Sequence, residues 1–342
     1  MSCISPIVFR CDTGLRIGLG HFVRCLALAE QLQRRNQPVY FVSDFGGLAW
    51  PARQLTRRNV PWVAPDNDTP ASLSKQAIAR DAAVLVVDSY APDAAFFAAL
   101  ADRPFIVAAI DDEAKRQLPV DVLINQNFGA EKLDYRTRPD TLRLLGANYA
   151  LLRRNIIDRR RDAPARKHPP VATNVVLAMG GTDPHGLART ALLALGKTGC
   201  PLAVRLIGME APTDPPALIA VDLETITGAP DVAEHFLWAD LVLAAAGSTA
   251  WELACLGAPM VLVTAFENQR IVYDNLLRAG AAVGLGDAAK ADADLWAAKL
   301  KPLLEDESRR ALLGKTAAAL IDGEGAAKVA AALFAAVKRK KK

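Results

Sequence analysis

The segment from residue 7 to residue 32 constrains the fold more than any other part of this chain. Ile7–Phe9 is a short apolar run of strand type, and the glycines that follow at positions 14, 18 and 20 interrupt it. From Phe22 to Leu32 the apolar residues recur at helical spacing. A loop that leads from a strand into a helix presents free N–H groups and a positive dipole end to an anion, typically phosphate. The segment therefore predicts a strand, a phosphate-binding loop and a helix.

The loop ends in Gly18-Leu19-Gly20-His21, which differs from the G-x-G-x-x-G fingerprint of dinucleotide sites. The sequence therefore argues against a nicotinamide cofactor. His21 lies where the helix begins, and the helix dipole there disfavours the imidazolium form. A neutral imidazole can act as a general base, although a single histidine is more often structural.

Strand-like apolar runs and helix-like segments alternate along the rest of the chain, which predicts an α/β fold with parallel sheets. The expected strands are 7–9, 39–42, 62–63, 83–88, 105–110, 122–124, 174–179, 202–207, 223–226, 241–245 and 259–263. The expected helices are 22–35, 50–59, 73–80, 94–101, 187–195, 232–238, 249–256 and 268–279, followed by a helical C-terminus.

Polar residues follow several of these strands directly. Asp12 lies just beyond the first strand, and Asp88 ends the fourth. Asp111-Asp112 and Asn125-Gln126-Asn127 follow the next two. In open α/β sheets ligands gather beyond the carboxyl ends of the strands. These side chains are candidates for a binding site, and the aspartates are either alternative bases or simple caps and turn residues.

A break in composition divides the chain. Residues 153–170 are dense in Arg, Lys and Asp and contain three prolines, which is typical of a linker. The sequence predicts an N-terminal domain at 1–155, a linker at 156–170, a C-terminal domain at 171–330 and a basic tail at 331–342. Two such domains in tandem predict a cleft between them, which is the usual site of a small-molecule ligand.

Three motifs in the second half lie between an expected strand and an expected helix. Gly180-Gly181-Thr182-Asp183 either cradles a phosphate or only makes a tight turn. In Gly247-Ser248-Thr249, Ser248 or Thr249 can cap the helix, and Glu252 then completes a capping box or binds ribose hydroxyls. Asn268-Gln269 either binds phosphate or sugar, or is a polar helix start.

Composition narrows the class of protein. The chain has 342 residues and a net charge of +4. The last five residues are all basic, and +4 less these five charges gives −1. A solvated terminal run is favoured over a surface for nucleic acid or acidic lipid. No apolar run approaches the ~18 residues of a membrane span, and the N-terminus does not resemble a signal peptide. We expect a cytoplasmic monomer.

The five cysteines are scattered along the chain. None forms a C-x-x-C pair, so free thiols are expected, with no metal and no cofactor. No pair of carboxylates stands out at glycosidase-like positions. A nucleoside diphosphate can leave from a sugar without a strong general acid, because helix dipoles stabilise its charge. A sugar-nucleotide site therefore needs one base, a phosphate cradle and sugar-positioning groups, and the chain offers candidates for each.

The chain resembles the nucleotide-sugar hydrolases of pseudaminic acid biosynthesis, which are relatives of the MurG-like glycosyltransferases. The motifs that carry the resemblance span residues 7–285 in the expected order. They are Arg10-Cys11-Asp12, Gly18–His21, Arg24–Ala29, Val87–Tyr90, Asp111-Asp112, Leu123–Asn127, Tyr149–Arg153, Met179–Pro184, Gly247-Ser248 with Glu252, Gly257–Pro259 and Asn268-Gln269. One departure is visible, since Arg154-Asn155-Ile156 stands where the family usually has an acidic residue and a phenylalanine.

The resemblance implies an α/β GT-B architecture, with two Rossmann-like domains whose parallel sheets face a central cleft. It implies that His21 activates water and that Glu252 binds the ribose. The candidate residues for binding the sugar and diphosphate are Asp12, Gly20, Tyr90, Asn127, Asn268 and Gln269. The candidate residues for binding the nucleotide are Gly180, Gly181, Thr182, Ser248 and Glu252.

The function expected from this resemblance is hydrolysis of UDP-2,4-diacetamido-2,4,6-trideoxy-β-L-altropyranose, with inversion at C1 of the sugar, in pseudaminic acid biosynthesis. The product would serve flagellin or a surface polysaccharide. The first alternative is a GT-B glycosyltransferase that passes the sugar to an acceptor hydroxyl, because water and an acceptor need the same base. The second alternative is a protein that binds a nucleotide sugar without catalysis. In each case the expected partner is a UDP-sugar, with neither nucleic acid nor membrane insertion.

Overall fold

The computed structural model of the protein describes residues 4–14, 17–165, 167–180, 183, 185–208, 220–227 and 231–340. The chain divides into two compact units. Unit 1 comprises Met1–Arg154 and Glu324–Lys342, and unit 2 comprises Asn155–Gly323. In the described ranges no helix is both long enough and apolar enough to cross a bilayer.

Strands and helices alternate through both units. The strands are β1 (Ile7–Cys11), β2 (Val39–Val42), β3 (Trp62–Val63), β4 (Val84–Asp88), β5 (Ile106–Ile110), β6 (Gln117–Leu118), β7 (Val122–Asn125), β8 (Arg136–Thr137), β9 (Leu142–Leu145), β10 (Asn174–Ala178), β11 (Leu202–Ile207), β12 (Val221–Ile226), β13 (Leu241–Ala245), β14 (Met260–Thr264) and β15 (Val283–Asp287). The helices are α1 (Gly20–Gln33), α2 (Ala49–Arg57), α3 (Pro70–Ile78), α4 (Ala94–Ala98), α5 (Arg154–Arg159), α6 (Leu187–Lys197), α7 (Val232–Trp238), α8 (Ser248–Cys255), α9 (Arg270–Arg278), α10 (Ala293–Glu305), α11 (Glu307–Ala318) and α12 (Gly325–Lys340).

Unit 1 is built on a seven-stranded parallel sheet with the order β3-β2-β1-β4-β5-β7-β9. The central strands are apolar on both faces because helices cover both sides. Ile7 and Phe9 of β1 pack into one core with α1, whereas Val8 packs into another with α3 and α4. This alternation gives each strand two buried faces, as is usual for a parallel sheet.

Unit 2 repeats the architecture with a six-stranded parallel sheet in the order β12-β11-β10-β13-β14-β15. Its core includes apolar residues of α6 and α10 together with the inner strands. In both sheets the strand order reverses beside the first strand of the unit. The carboxyl edge near such a reversal is where ligands of open α/β sheets bind.

Every strand expected from the sequence is present, with bounds that shift by two residues at most. The sequence did not predict β6, β8, β9 or β15. β15 carries Gly284 and Gly286, which weaken a strand pattern. Gly284 is required there, because a Cβ would overlap the hydroxyl oxygen of Tyr273 and Cδ2 of Leu277. Close packing of α9 against β15 therefore requires glycine at a position where glycine weakens the sequence pattern of a strand.

The last helix differs from its expected place. The sequence assigned residues up to 330 to the second domain and 331–342 to a tail, but α12 belongs to unit 1. Val329 and Leu333 of α12 are fully buried in the same core as α1. At its end the Lys340 ammonium donates to the carbonyl of Phe105 at 2.6 Å. Helical periodicity shows which face of a helix is apolar, but not which core receives that face.

The expected linker is also ordered in part. Arg154–Arg159 forms α5, and the 3₁₀ turns that follow cover Arg160–Ala165. Asn155 donates to Asp231 at 2.9 Å, and Arg160 donates to the carbonyl of Cys255 at 3.1 Å. These contacts attach the segment to unit 2, so polar residues of the expected linker make specific hydrogen bonds.

Candidate functional site

The carboxyl edge of the unit 1 sheet gathers most of the polar residues selected from the sequence. The register of β1 against β4 pairs Cys11 with Asp88. Asp12 and Ser89 therefore leave the sheet side by side, and the Ser89 hydroxyl donates to Asp12. β5 lies next to β4, so Asp112 leaves the same edge.

Two glycine-containing loops close against each other above this edge. Gly14 and Gly18 form an antiparallel bridge, with the Gly18 N–H donating to the Gly14 carbonyl at 2.7 Å. Gly46 has a φ of +55°, and a Cβ there would lie 2.9 Å from the Gly14 Cα. The close approach of the two backbones therefore requires glycine at position 46.

His21 lies at the second position of α1 and is 6% exposed. Its ring makes an edge contact with the ring of Tyr90, with centroids 4.7 Å apart and planes at 81°. The His21 Nδ1 lies 3.7 Å from Oδ1 of Asp88 and has no hydrogen-bond partner within the described part of the chain. The structure thus brings together two residues, His21 and Tyr90, that are 69 positions apart in the sequence.

Arg24 binds two aspartates beneath His21. Its Nε and Nη2 donate to the two oxygens of Asp88, each at 2.6 Å, and its Nη1 donates to Asp112 at 2.8 and 2.9 Å. Burial alone would lower the pKa of Arg24, but the charges of Asp112 and Asp88 raise it well above the usual value. With Arg24 and both aspartates ionised, the cluster carries a net charge of −1.

Asp112 joins two further groups to this cluster. It accepts hydrogen bonds from the Tyr90 hydroxyl and, at 2.8 Å, from the Asn127 amide. Burial opposes the ionisation of Asp112, but the charge of Arg24 and the hydrogen bonds from Arg24 and Tyr90 lower its pKa to about 2. Asp112 is therefore ionised at neutral pH, and it links Tyr90 and Asn127 to the cluster next to His21.

Asp12, a candidate for substrate binding, lies in a second network at this edge. Besides the Ser89 hydroxyl it accepts a hydrogen bond from Arg10 at 2.7 Å. Arg10 also binds Asp68, whose side chain is 63% exposed. Asp12 is therefore held in place by its neighbours, with a side chain that remains 14% exposed.

The sequence did not identify Arg24 as a functional candidate, and it left Asp88 and Asp112 among several alternatives. A signal was present, because His21 and Arg24 are three residues apart on one helix and so share a face. What the sequence could not show is that this face meets the ends of β4 and β5, which depends on the strand order of the sheet.

In unit 2 the predicted residues lie beyond three neighbouring strands. Gly180 follows β10 with a φ of +101°, and Gly247 and Ser248 follow β13. Asn268 and Gln269 form a 3₁₀ turn after β14. A Cβ on Gly247 would lie 3.5 Å from Nε2 of Gln269, so these two loops are neighbours. Gly181 and Thr182 lie outside the described residues.

Two of the helices that begin at this edge, α6 and α8, differ at their N-termini. The carboxylate of Asp183 accepts hydrogen bonds from the Leu187 and Ala188 amides of α6, both at 2.8 Å. A carboxylate thus already occupies the first turn of α6, which favours the structural interpretation of the Gly180–Asp183 motif. At α8 the N-cap is Gly247, and no described side chain caps the helix. The first turn of α8 therefore offers the better anion site.

The capping interpretation of Ser248 and Thr249 is wrong. Both residues lie inside α8, because the helix begins at Ser248 and its N-cap is Gly247. Glu252 therefore does not complete a capping box with Thr249. Its side chain is on the second turn of α8, and the residue is 3% exposed.

Comparisons with known proteins agree with this architecture. No family model matches the chain. The spore coat polysaccharide biosynthesis protein SpsG of Bacillus subtilis (strain 168) is 21% identical over 334 residues, which cover 94% of this chain and 96% of SpsG. A crystal structure of MurG from Acinetobacter baumannii matches 97% of this chain and 99% of its own, with a TM-score of 0.69 and 16% identity.

A third protein shares the fold. The spinosyn rhamnosyltransferase SpnG, solved with thymidine diphosphate, matches 96% of this chain and 100% of its own, with a TM-score of 0.60 and 16% identity. These likenesses run over almost the full length of each chain, and they confirm the expected GT-B fold with its two parallel sheets.

Proposed function

We propose that this protein is an enzyme that cleaves the bond between C1 of a sugar and the diphosphate of a nucleotide sugar. The observation that carries the proposal is His21, held at the carboxyl edge of unit 1 beside a buried cluster of net charge −1. Such a cluster stabilises the positive charge that His21 acquires when it removes a proton from a nucleophile.

The proposed chemical step is a single displacement. The oxygen of the nucleophile attacks C1 while His21 accepts its proton. The bond between C1 and the diphosphate oxygen breaks, and its electron pair leaves with the nucleoside diphosphate. A single displacement of this kind inverts the configuration at C1. Since the diphosphate is already a stable anion, the step needs no strong general acid.

The two units would bind different parts of the substrate. In unit 1, Asp12, Gly20, Tyr90 and Asn127 would contact the sugar and the phosphate next to it. In unit 2, the uncapped first turn of α8, with Ser248, supports binding of the diphosphate. The nucleotide would be held by Ser248 and Glu252, and Asn268 and Gln269 would contact the diphosphate and sugar. Gly180, Gly181 and Thr182, the other candidates from the sequence, are not assigned to the nucleotide, because Asp183 already occupies the first turn of α6.

We favour transfer of the sugar to an acceptor hydroxyl. SpnG is a rhamnosyltransferase, and SpsG is named for polysaccharide biosynthesis. The first name supports an enzyme that transfers a sugar, and the second supports a role in the synthesis of a polysaccharide. The thymidine diphosphate bound to SpnG supports a nucleoside diphosphate as the leaving group.

Hydrolysis is the second candidate, and the motifs of the sequence favour it. The ordered set from Arg10 to Gln269 resembles the hydrolases of pseudaminic acid biosynthesis, in which water takes the place of the acceptor. The substrate would then be UDP-2,4-diacetamido-2,4,6-trideoxy-β-L-altropyranose. The same base serves both reactions, so the nucleophile is the point on which the candidates differ.

Proton NMR of the purified protein with this UDP-sugar, and with common UDP-sugars as comparison, separates the candidates. We expect binding of a UDP-sugar that is stable until an acceptor is added, after which UDP is released. Release of UDP without an acceptor, with the free sugar appearing first as the opposite anomer, would establish the hydrolase instead. Failure to bind any UDP-sugar would contradict the proposal as a whole.

A further inference from the structure

Arg24 occupies an unusual position, because one guanidinium binds two carboxylates from two different strand ends. Its side chain is 4% exposed, and Asp88 is fully buried. The planar fork of arginine binds Asp88 through two nitrogens and still directs a third toward Asp112. A lysine ammonium is a single point charge and cannot reproduce this arrangement.

Each aspartate in turn faces a group at the candidate site. Oδ1 of Asp88 lies 3.7 Å from Nδ1 of His21, and Asp112 accepts a hydrogen bond from the Tyr90 hydroxyl. The Tyr90 ring contacts the edge of the His21 ring. Arg24 is therefore at the centre of a connected set that reaches His21 from two sides.

Two further polar groups border this set. The Cys25 thiol donates to Oδ2 of Asp88 at 3.6 Å, and the Asn127 amide donates to Asp112. Burial raises the pKa of Cys25 well above its usual value, so this thiol stays neutral. The charges that face His21 are accordingly those of Asp88, Asp112 and Arg24.

We infer that Arg24 is a positioning residue that fixes the tautomer of His21 and the side chain of Tyr90 through the two aspartates. Asp88, held by Arg24, faces Nδ1 and draws the proton of the neutral ring to that nitrogen. The lone pair of Nε2 is then left for the nucleophile. The inference about the tautomer stands on the contacts alone, and its consequence for catalysis rests on the proposed function.

A purely structural role for Arg24 gives a different expectation. In that case Arg24 only neutralises buried carboxylates, and its replacement lowers stability without changing the His21 ring. Arg310 of unit 2 offers a control for replacing a buried arginine by lysine, because its partners are carbonyl oxygens and not carboxylates. It is fully buried, and its Nη1 donates to the carbonyls of Leu303 and Leu304 at 2.7 and 2.8 Å.

The test compares Arg24→Lys with Arg310→Lys in the full chain. Histidine is labelled with ¹⁵N, and His21 is assigned by the signals that the His21→Gln variant lacks. We expect one Nδ1–H tautomer in the wild type and a mixture of tautomers in Arg24→Lys, whereas Arg310→Lys keeps the wild-type signals. With a UDP-sugar that the wild type turns over, kcat of Arg24→Lys should fall at least about tenfold while KM changes by less than about threefold.

A second variant covers the case in which Arg24→Lys does not fold. Asp88→Asn keeps the shape of the side chain but replaces a pure acceptor with a group that also donates, so it should mix the tautomers in the same way. Wild-type His21 signals in a folded Arg24→Lys or Asp88→Asn protein would overturn the inference, and so would an equal change in Arg310→Lys. If the wild type turns over no UDP-sugar, the proposed function fails, and the ¹⁵N signals still decide the role of Arg24.

Discussion

At the scale of single residues, the cluster beneath His21 combines one cation with two anions in a buried place. Taking these charges out of water is costly unless each is paired and hydrogen-bonded. Arg24 uses three nitrogens on the two aspartates, and Asp112 receives further hydrogen bonds from Tyr90 and Asn127. Replacing one of these three residues is therefore expected to lower the free energy of unfolding more than the loss of a surface ion pair does.

Asp112→Asn should lower the stability of the fold in a pH-dependent way. The pKa of Asp112 is about 2 in the folded state and 3.8 without its surroundings, so its carboxylate stabilises the fold above about pH 4. That contribution is lost as the pH falls toward 2. We expect the variant to be less stable by about 2 kcal/mol at pH 7, with a difference that shrinks toward pH 2. Urea unfolding of the wild type and of Asp112→Asn at several pH values measures this difference in stability.

Asp140→Asn is the matched control for this prediction. The Asp140 side chain is 75% exposed and pairs with Arg138, so its loss should change stability by less than about 0.5 kcal/mol. A difference between wild type and Asp112→Asn that stays constant from pH 7 to pH 2.5 would contradict the ionic role of Asp112.

At this scale the sequence predicted the residues better than their contacts. His21, Tyr90 and Asn127 were selected as candidates, and all three lie on one network at the carboxyl edge of unit 1. Arg24 was missed because its importance comes from two aspartates that are 64 and 88 positions away. Partners of that kind are defined only once the strand order is known.

At the scale of secondary-structure elements, the caps of the helices decide which N-termini remain open to an anion. Asp183 fills the first turn of α6 with a carboxylate, whereas α8 begins at a glycine. The sequence motifs around both helices look alike, with glycines before a Ser or Thr. The difference is in the side chain that folds back on the helix, and this depends on the path of the loop.

Asp183→Ala should therefore destabilise α6 as the loss of an N-terminal cap does, by about 1 kcal/mol. Asp292→Ala is the matched comparison, since Asp292 accepts hydrogen bonds from Asp294 and Leu295 at the start of α10. We expect urea unfolding to show a similar loss of stability in both variants, and we expect the affinity for UDP to be unchanged. A large loss of UDP affinity in Asp183→Ala alone would show that the α6 turn belongs to the nucleotide site.

At the scale of the whole molecule, the sequence predicted the fold class but not the full partition of the chain. Strand–helix alternation was enough to indicate two parallel α/β sheets, because apolar runs of four to six residues leave few other arrangements. The return of α12 to unit 1 could not be predicted, since an amphipathic helix fits many apolar surfaces.

Removal of residues 324–342 should therefore damage unit 1. The deletion would expose the apolar faces that Val329, Leu333 and their neighbours cover, at a cost of several kcal/mol. We expect a protein that is insoluble or that unfolds at much lower urea, measured by circular dichroism. Removal of only Lys341 and Lys342 is the control and should have no effect. A stable, fully folded protein after the larger deletion would contradict the assignment of α12 to unit 1.

The most direct test of the account is UDP release from a UDP-sugar substrate by the wild type and by His21→Ala, together with UDP affinity from calorimetry. If His21 is the base, turnover should fall by at least about 100-fold while the Kd for UDP stays within about threefold. Turnover close to that of the wild type in His21→Ala would contradict the central claim, because His21 would then not be the general base.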